Sequence, residues 1–290
     1  MDVDGMLVAA MDAAAKAGRE LRAMQGRDGG LLYKGTDYHT KADLASDRSI
    51  IRSLGERCPG TDVLSEESGW LKQGGKDAPV WVIDPLDGTW NYHNGGTWWS
   101  VSIGLVHEGR PVLGVVHAPA AGTTYHAVSG SGGAFCGSRP LVPRTSPFIG
   151  EWLVSFGAPS KRRAEEASVE GLLFRELPTA DGQRTVHPYR YKPGRGSTAL
   201  ELCGLAEGAF NGLVRWGQKP WDVAAGLVIA SEAGCALETM DGRSWEEEVG
   251  RFSTDHISDI VGASDRDGLA TLRRLMKGEI DRWPPRRDSI

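Results

Sequence analysis

Residues 80–91, Val-Trp-Val-Ile-Asp-Pro-Leu-Asp-Gly-Thr-Trp-Asn, constrain this chain more than any other stretch. The run opens as a short apolar segment with the character of a buried strand. It then meets Asp84, Pro85, Asp87 and Gly88. A proline ends a strand ladder and a glycine permits a tight turn. The chain should therefore leave a rigid strand and turn sharply, with Asp84 and Asp87 fixed at the corner. Two carboxylates held together repel each other, and a divalent cation relieves that cost.

The rest of the chain supplies further polar groups at element boundaries. Met6, Leu7, Met11, Ala14, Leu21 and Met24 recur at helical spacing, which predicts a helix over residues 4 to 26 with Gly26 as its stop. Thr40 is an expected N-cap for a second helix carrying Leu44, Ile50, Ile51 and Leu54, with Asp43 in its first turn. Asp43 there either complements the helix dipole or serves a site. A short strand from Thr61 ends in Glu66 and Glu67. Neighbours in an extended chain face opposite ways, so only one of the two can point at a given site. Segments from Trp98 to Cys136, separated by Gly and Pro turns, read as an antiparallel meander. Leu141 to Gly150 reads as a linker, Glu151 to Gly157 as a strand and Lys161 to Phe174 as a charged helix. Gly196 and Ser197 open a further helix, whose free backbone N–H groups could face an anion or a sugar. Pro220 marks another helix entry, with Asp222 in the first turn and small residues after it.

Composition narrows the function classes. The formal net charge of -5 argues against nucleic-acid binding through bulk electrostatics. No apolar run approaches the ~20 residues that span a bilayer, so no membrane role is expected. The four cysteines (Cys58, Cys136, Cys203, Cys235) stand far apart and form no metal-binding pair. Around Asp2 and Asp4 the basic-then-apolar pattern of a signal peptide is missing, and a cytoplasmic protein is expected.

Asp84-Pro85-Leu86-Asp87-Gly88-Thr89-Trp90-Asn91 resembles the signature Asp-Pro-[Ile/Leu]-Asp-Gly-Thr-x-Asn of the inositol monophosphatase superfamily, which are metal-dependent phosphatases. Thr40-Lys41-Ala42-Asp43 is similar to its Thr-x-x-Asp, and Glu66-Glu67-Ser68 to its Glu-Glu-Ser. Residues 196–200 are similar to its Gly-Ser-Ala-Ala-Leu loop, and residues 221–226 to its Trp-Asp-x-Ala-Ala-Gly. These blocks stand in the family's order. The resemblance implies an α+β fold, a five-layered αβαβα sandwich with two β-sheets. Residues 1–145 would carry most metal ligands and 146–290 would complete the site. It implies two or three Mg²⁺ ions. Glu66, Asp84 and the Leu86 carbonyl would hold the first, and Asp84, Asp87 and Asp222 the second. Asp43 and Thr89 would orient or activate the attacking water. The N–H groups of Gly88 and Thr89 would hold phosphate, and the Gly196–Ser197 loop would line the substrate pocket. Lithium sensitivity and a homodimer are family expectations.

Two departures bear on substrate. Inositol-cleaving relatives carry a Glu six or seven residues before the Trp-Asp aspartate; seven residues before Asp222 stands Arg215. An arginine donates a planar fork and favours an anion. It either faces the pocket or turns to solvent. Trp90 replaces a usual Thr, with Trp98 and Trp99 close by. These rings either stack on a substrate or belong to core or interface. The expected function is a Mg²⁺-dependent phosphatase for a small phosphate monoester, either an inositol, cyclitol or sugar phosphate or histidinol phosphate. The alternatives are a 3′(2′),5′-bisphosphate nucleotidase, an antibiotic-pathway phosphatase, and a regulatory partner- or RNA-binding protein.

Overall fold

The computed structural model describes residues 1–27, 30–34, 37–157, 176–178, 185–186 and 189–279. The helix expected over Lys161 to Phe174 lies outside these residues, as does the tail from Trp283.

Helix α1 (Val3–Met24) starts at Asp2, whose side chain accepts from the Gly5 N–H, and Gly26 beyond its end takes φ +77. A small hairpin, β1 (Leu32–Lys34) with β2 (Asp37–His39), leads to α2 (Lys41–Arg57), which Thr40 caps as expected. Strands β3 (Asp62–Ser65), β4 (Gly69–Leu71) and β5 (Val80–Asp87) precede the short α3 (Thr89–His93). The expected meander follows as β6 (Ser100–His107), β7 (Arg110–Ala118), β8 (Thr123–Val128), β9 (Ala134–Cys136) and β10 (Arg139–Pro140). These strands form one sheet in the order β10-β9-β8-β7-β6-β5-β3-β4, with β3 and β5 parallel.

After a loop and a 3₁₀ turn (Ile149–Glu151), β11 (Leu153–Gly157) opens a second sheet. A short hairpin pairs β12 (Leu177–Pro178) with β13 (Thr185–Val186). Then come β14 (Arg190–Pro193), α4 (Thr198–Ala206), β15 (Gly212–Gln218), α5 (Pro220–Glu232), β16 (Ala236–Thr239), α6 (Trp245–Val249), β17 (Ser258–Ala263) and α7 (Arg266–Met276). The second sheet runs β14-β11-β15-β17-β16.

Strand alternation assigns the layers. On β5, Trp81 and Ile83 pack with α1 and α2, whereas Val82 packs with α4 and α5. On β15, Leu213 faces that same inner helix pair, and Val214 and Trp216 face α7. The layers are therefore α1/α2, the larger sheet, α4/α5, the smaller sheet and α7. This is the expected five-layered αβαβα sandwich. Burying each large apolar side chain contributes about 1.5–3 kcal/mol, and Trp81, Ile83, Leu64 and Ile103 are fully buried.

Two glycines let α5 approach the larger sheet. Gly104 and Gly114 pair across β6 and β7. A Cβ on Gly114 would lie 2.3 Å from the Ala225 carbonyl oxygen, and one on Gly104 would lie 2.9 Å from the Ala224 Cβ. The small residues after Asp222 thus match small residues on the sheet. That fit brings the start of α5 over the end of β5.

Candidate active site

The corner at the end of β5 differs from expectation in one detail. Pro85 does not end the ladder. Asp84 pairs with Ser102 and Asp87 with Ser100, and the register shifts between them. A bulge leaves the residue without an N–H unpaired while the ladder continues on either side. The Pro85 carbonyl accepts from Ser46 Oγ of α2 at 2.7 Å, which ties the bulge down. Gly88 then turns the chain at φ +94 into α3. A Cβ there would meet the Trp98 carbonyl at 3.0 Å, so both backbone angle and space call for glycine.

Asp84 is buried at 2% exposure, and its Oδ1 accepts from the Leu86 N–H at 2.9 Å. Burial pushes its proton affinity well up, and the charges of Glu66, Asp87 and Asp222 push it further. The three acids that act on Asp84 come from separate parts of the chain. Glu66 emerges beside them because β3 runs parallel to β5, with the Glu66 N–H donating to the Ile83 carbonyl at 3.1 Å. Asp222 comes from the first turn of α5, where its Oδ2 accepts from the Lys219 N–H at 2.8 Å. Among the described residues no three His, Cys, Asp or Glu side chains are drawn into a closed ligand cluster. The carboxylates are neighbours that repel, held in place by other parts of the protein.

Asp87 shows how. Its Oδ2 accepts from Ser197 Oγ at 2.6 Å and from the Ala199 N–H at 2.8 Å, and its Oδ1 from the Thr198 N–H at 3.3 Å. Ser197 is the N-cap of α4, so Asp87 sits at the positive end of that helix. Burial still raises the Asp87 carboxyl to about 6, against the pull of these donors. The Ser197 hydroxyl is thus committed to Asp87. Gly196 takes φ +87, and a Cβ there would meet Asn91 Nδ2 at 3.1 Å. Asn91 Nδ2 donates to the carbonyls of Trp98 and Arg195, stapling α3 to this loop.

Asp43 lies at the base of the corner. Its Oδ2 accepts from the Thr40 N–H at 2.7 Å and the Thr40 hydroxyl at 2.6 Å. Its Oδ1 accepts from the Thr89 hydroxyl at 2.9 Å. Thr89 Oγ1 also lies 3.0 Å from the Leu86 carbonyl. A hydroxyl has one proton, so it can serve only one of these acceptors at a time. Burial raises the Asp43 carboxyl, opposed by the Thr40 and Thr89 donors.

The structure changes the reading of two side chains. Arg215 is neither solvent-facing nor turned to an open pocket. It is 3% exposed. Its Nη1 donates to the Ser155 and Val214 carbonyls at 3.1 and 2.8 Å, and its Nη2 to Ser155 Oγ at 2.8 Å with Glu201 Oε2 at 3.1 Å. Leu213 faces the inner helices, so Arg215, two residues on, does too, and it meets Glu201 of α4. Both terminal nitrogens are spent within the protein. Arg215 is thus held inside the protein, a third placement beside the two expected for it. Trp99 is fully buried, edge-on to Tyr92 at 5.0 Å, which makes it a core residue. Trp90 is 54% exposed beside the corner, and Trp98 is half-buried.

Several supporting residues escaped sequence reasoning. Asp47 accepts from the Ser65 and Ser68 hydroxyls and so clamps both sides of Glu66-Glu67. Glu67 pairs with His39 at 2.8 Å, and its charge bears on Asp43 and Asp47. Glu201 gathers Lys192 Nζ at 2.7 Å, Ser155 Oγ at 2.8 Å and the Arg195 N–H at 3.0 Å. A lone acid inside the apolar run of α4 was the available signal for it.

Comparison with known proteins places this arrangement. The model of the inositol monophosphatase family matches residues 2–274. The "Nus factor SuhB" of Pasteurella multocida is 36% identical over 237 residues, covering 79% of this chain and 83% of that protein. An "Inositol-1-monophosphatase" of Mesorhizobium japonicum is 32% identical over 238 residues, covering 82% and 85%. Among solved structures, the extragenic suppressor protein suhB of Bartonella henselae superposes with a TM-score of 0.78 at 26% identity, covering 95% of this chain and 99% of that one. Inositol monophosphatase from Anabaena gives 0.73 at 25% identity, covering 96% of each. With the shared layers and the match over nearly its whole length, this chain belongs to the inositol monophosphatase family, a family of phosphoric monoester hydrolases.

Proposed function

We propose that the chain hydrolyses a small phosphate monoester with the help of Mg²⁺ held at the β5 corner. The observation that carries this is that the buried Asp84 feels the charges of Glu66, Asp87 and Asp222 together. Such a set is costly in a protein that does not use it. It fits a hard divalent cation, because every donor is an oxygen and the corner adds the Leu86 carbonyl. Glu66, Asp84, Leu86 O, Asp87 and Asp222 would hold the metal. When bound, Mg²⁺ neutralises phosphoryl oxygens, acidifies water and stabilises the leaving oxygen.

The chain's own residues supply the rest. Asp43 holds the Thr89 hydroxyl through its Oδ1. With its proton passed toward Asp43, Thr89 Oγ1 can accept from a water and aim that water at phosphorus. The N–H groups of Gly88 and Thr89 are the phosphate donors carried over from the resemblance. Asn91 and Ser197 lock the corner to the 195–199 loop, so the two halves of the chain complete the site together. At the position of the Glu that accepts sugar hydroxyls in inositol-cleaving relatives stands Arg215, which faces Glu201. This favours substrates other than plain inositol phosphate within the sugar, cyclitol and histidinol phosphate classes.

A second reading comes from relatives named Nus factors, among them those of Pasteurella multocida and Vibrio cholerae. A regulatory partner role would leave the carboxylates unused. Phosphate release from a panel of monoesters, with Mg²⁺ and with EDTA, separates the readings. Release that EDTA abolishes supports the phosphatase. No release from any ester, with Mg²⁺ present and the protein folded, refutes it.

A further inference from the structure

We propose that Arg195 is the residue that selects the substrate, by receiving a second anionic group borne by the same molecule as the scissile phosphate. This rests on the phosphatase reading and narrows its substrate class to phosphate esters with another carboxylate or phosphate.

Arg195 is exposed and sits on the loop that touches the corner. Its backbone is fixed at both polar atoms. The N–H donates to Glu201 Oε1 at 3.0 Å, and the carbonyl accepts from Asn91 Nδ2. Two residues on, Ser197 donates to Asp87. Two residues of extended chain span at most about 7 Å, so Arg195 starts within a small molecule's length of the carboxylate corner.

The side chain is also held. The guanidinium carbon stands 4.7 Å from the centroid of the Trp98 ring. A guanidinium stacked on an indole uses one face and keeps its edge N–H donors free. Among the described residues Arg195 has no carboxylate partner. That distinguishes it from Arg215, whose terminal nitrogens are bonded inside the protein. Trp98 is fixed as well, since its carbonyl accepts from Asn91 Nδ2 at 2.7 Å. The same asparagine therefore anchors the arginine's backbone and that of the ring beneath it.

The chemistry follows from this placement. Four carboxylates make the corner repellent to an added anion. A substrate with a second anion needs a fixed cation away from the metal ligands. A planar fork with free edges matches a carboxylate or phosphate two bonds at a time. A neutral polyol would gain little from it.

The test compares substrate pairs that differ only in the second anion. Glycerol 3-phosphate is set against 3-phosphoglycerate, and fructose 1-phosphate against fructose 1,6-bisphosphate. The first pair reads a carboxylate and the second a phosphate. The wild type should prefer the doubly anionic member of at least one pair. Arg195→Met keeps an apolar stem on Trp98 and removes the fork. It should raise KM for that member roughly tenfold or more, as expected for a lost charge-assisted pair. The kcat should hold, and the singly anionic partner should be unaffected. Arg195→Lys should recover part of the preference. Equal loss on both members of a pair, or no preference in the wild type, would overturn the assignment. Release from none of the four but from another monoester of the panel would overturn this assignment and leave the phosphatase reading standing, whereas release from no ester at all would overturn both.

Discussion

Replacing Arg215 by methionine separates the two roles an arginine can play beside this site. The guanidinium is enclosed: a Cβ on Gly157 would lie 2.7 Å from Arg215 Cδ, and one on Gly194 3.1 Å from Nη2. Breaking a buried ion pair costs about 3–5 kcal/mol when the partner is left alone. Glu201 would not be alone here. It keeps Lys192 Nζ at 2.7 Å, Ser155 Oγ at 2.8 Å and the Arg195 N–H at 3.0 Å. The Ser155 carbonyl does lose a donor. The expected cost is therefore about 2–3 kcal/mol, below the full penalty. With an unfolding entropy of about 2.1 cal/mol/K per residue over this chain, that corresponds to a fall in Tm of about 3–5 °C. KM should change less than about twofold, because both terminal nitrogens are bonded within the protein to Ser155, Val214 and Glu201. Arg215→Glu restores the residue type of inositol-cleaving relatives and should cost more, since it sets a second carboxylate against Glu201. Differential scanning calorimetry and phosphate-release kinetics read the two effects. A tenfold rise in KM with an unchanged Tm would refute the structural role.

Thr89→Ala should lower kcat by about 10²–10⁴, the usual range for a lost proton-transfer group, with Tm little changed; Thr89→Ser should keep most activity because it retains the hydroxyl. An acid-stability prediction follows from Glu201. Burial works to raise its carboxyl, but Arg215, Lys192 and Ser155 outweigh that and leave it lowered. A lowered folded value gives stability that is present above the unfolded value and lost as pH falls through the folded one. Glu201→Gln should therefore unfold at lower urea than wild type at pH 7, and the gap should narrow steadily below about pH 4. A gap independent of pH would show that the charge is not what Glu201 contributes.

Local pattern made much of this legible. Helical spacing from Met6 to Met24 gave α1, Thr40 with Asp43 gave the start of α2, and the Gly- and Pro-separated apolar runs gave the meander. The layer order came from the resemblance, because periodicity does not say which sheet a helix covers. Pro85 was misread because a proline's missing N–H has two outcomes, an ended ladder or a bulge, and the neighbouring strand decides between them. Arg215 was ambiguous for a similar reason. Alternation puts it on one face of β15 with Leu213, but the acid that meets it is on another element. The staple from Asn91 to Arg195 spans 104 residues, beyond the reach of any local rule.

The central claim is that Asp84 is the shared centre of a metal site that drives phosphate release. Asp84→Asn removes one charge and keeps the shape, and its amide oxygen can still accept from the Leu86 N–H. Burial and the three neighbouring carboxylates raise Asp84's proton affinity in the folded chain. Such a group costs stability once pH exceeds its unfolded value, up to its folded value. At neutral pH without metal, the asparagine variant should therefore melt higher than wild type. The direct measurement is a Mg²⁺ titration of both proteins, reading Tm and phosphate release from the best monoester together. Wild type should gain both Tm and activity as Mg²⁺ rises, whereas Asp84→Asn should gain neither. A variant that still releases phosphate at the wild-type rate at saturating Mg²⁺ would contradict the account.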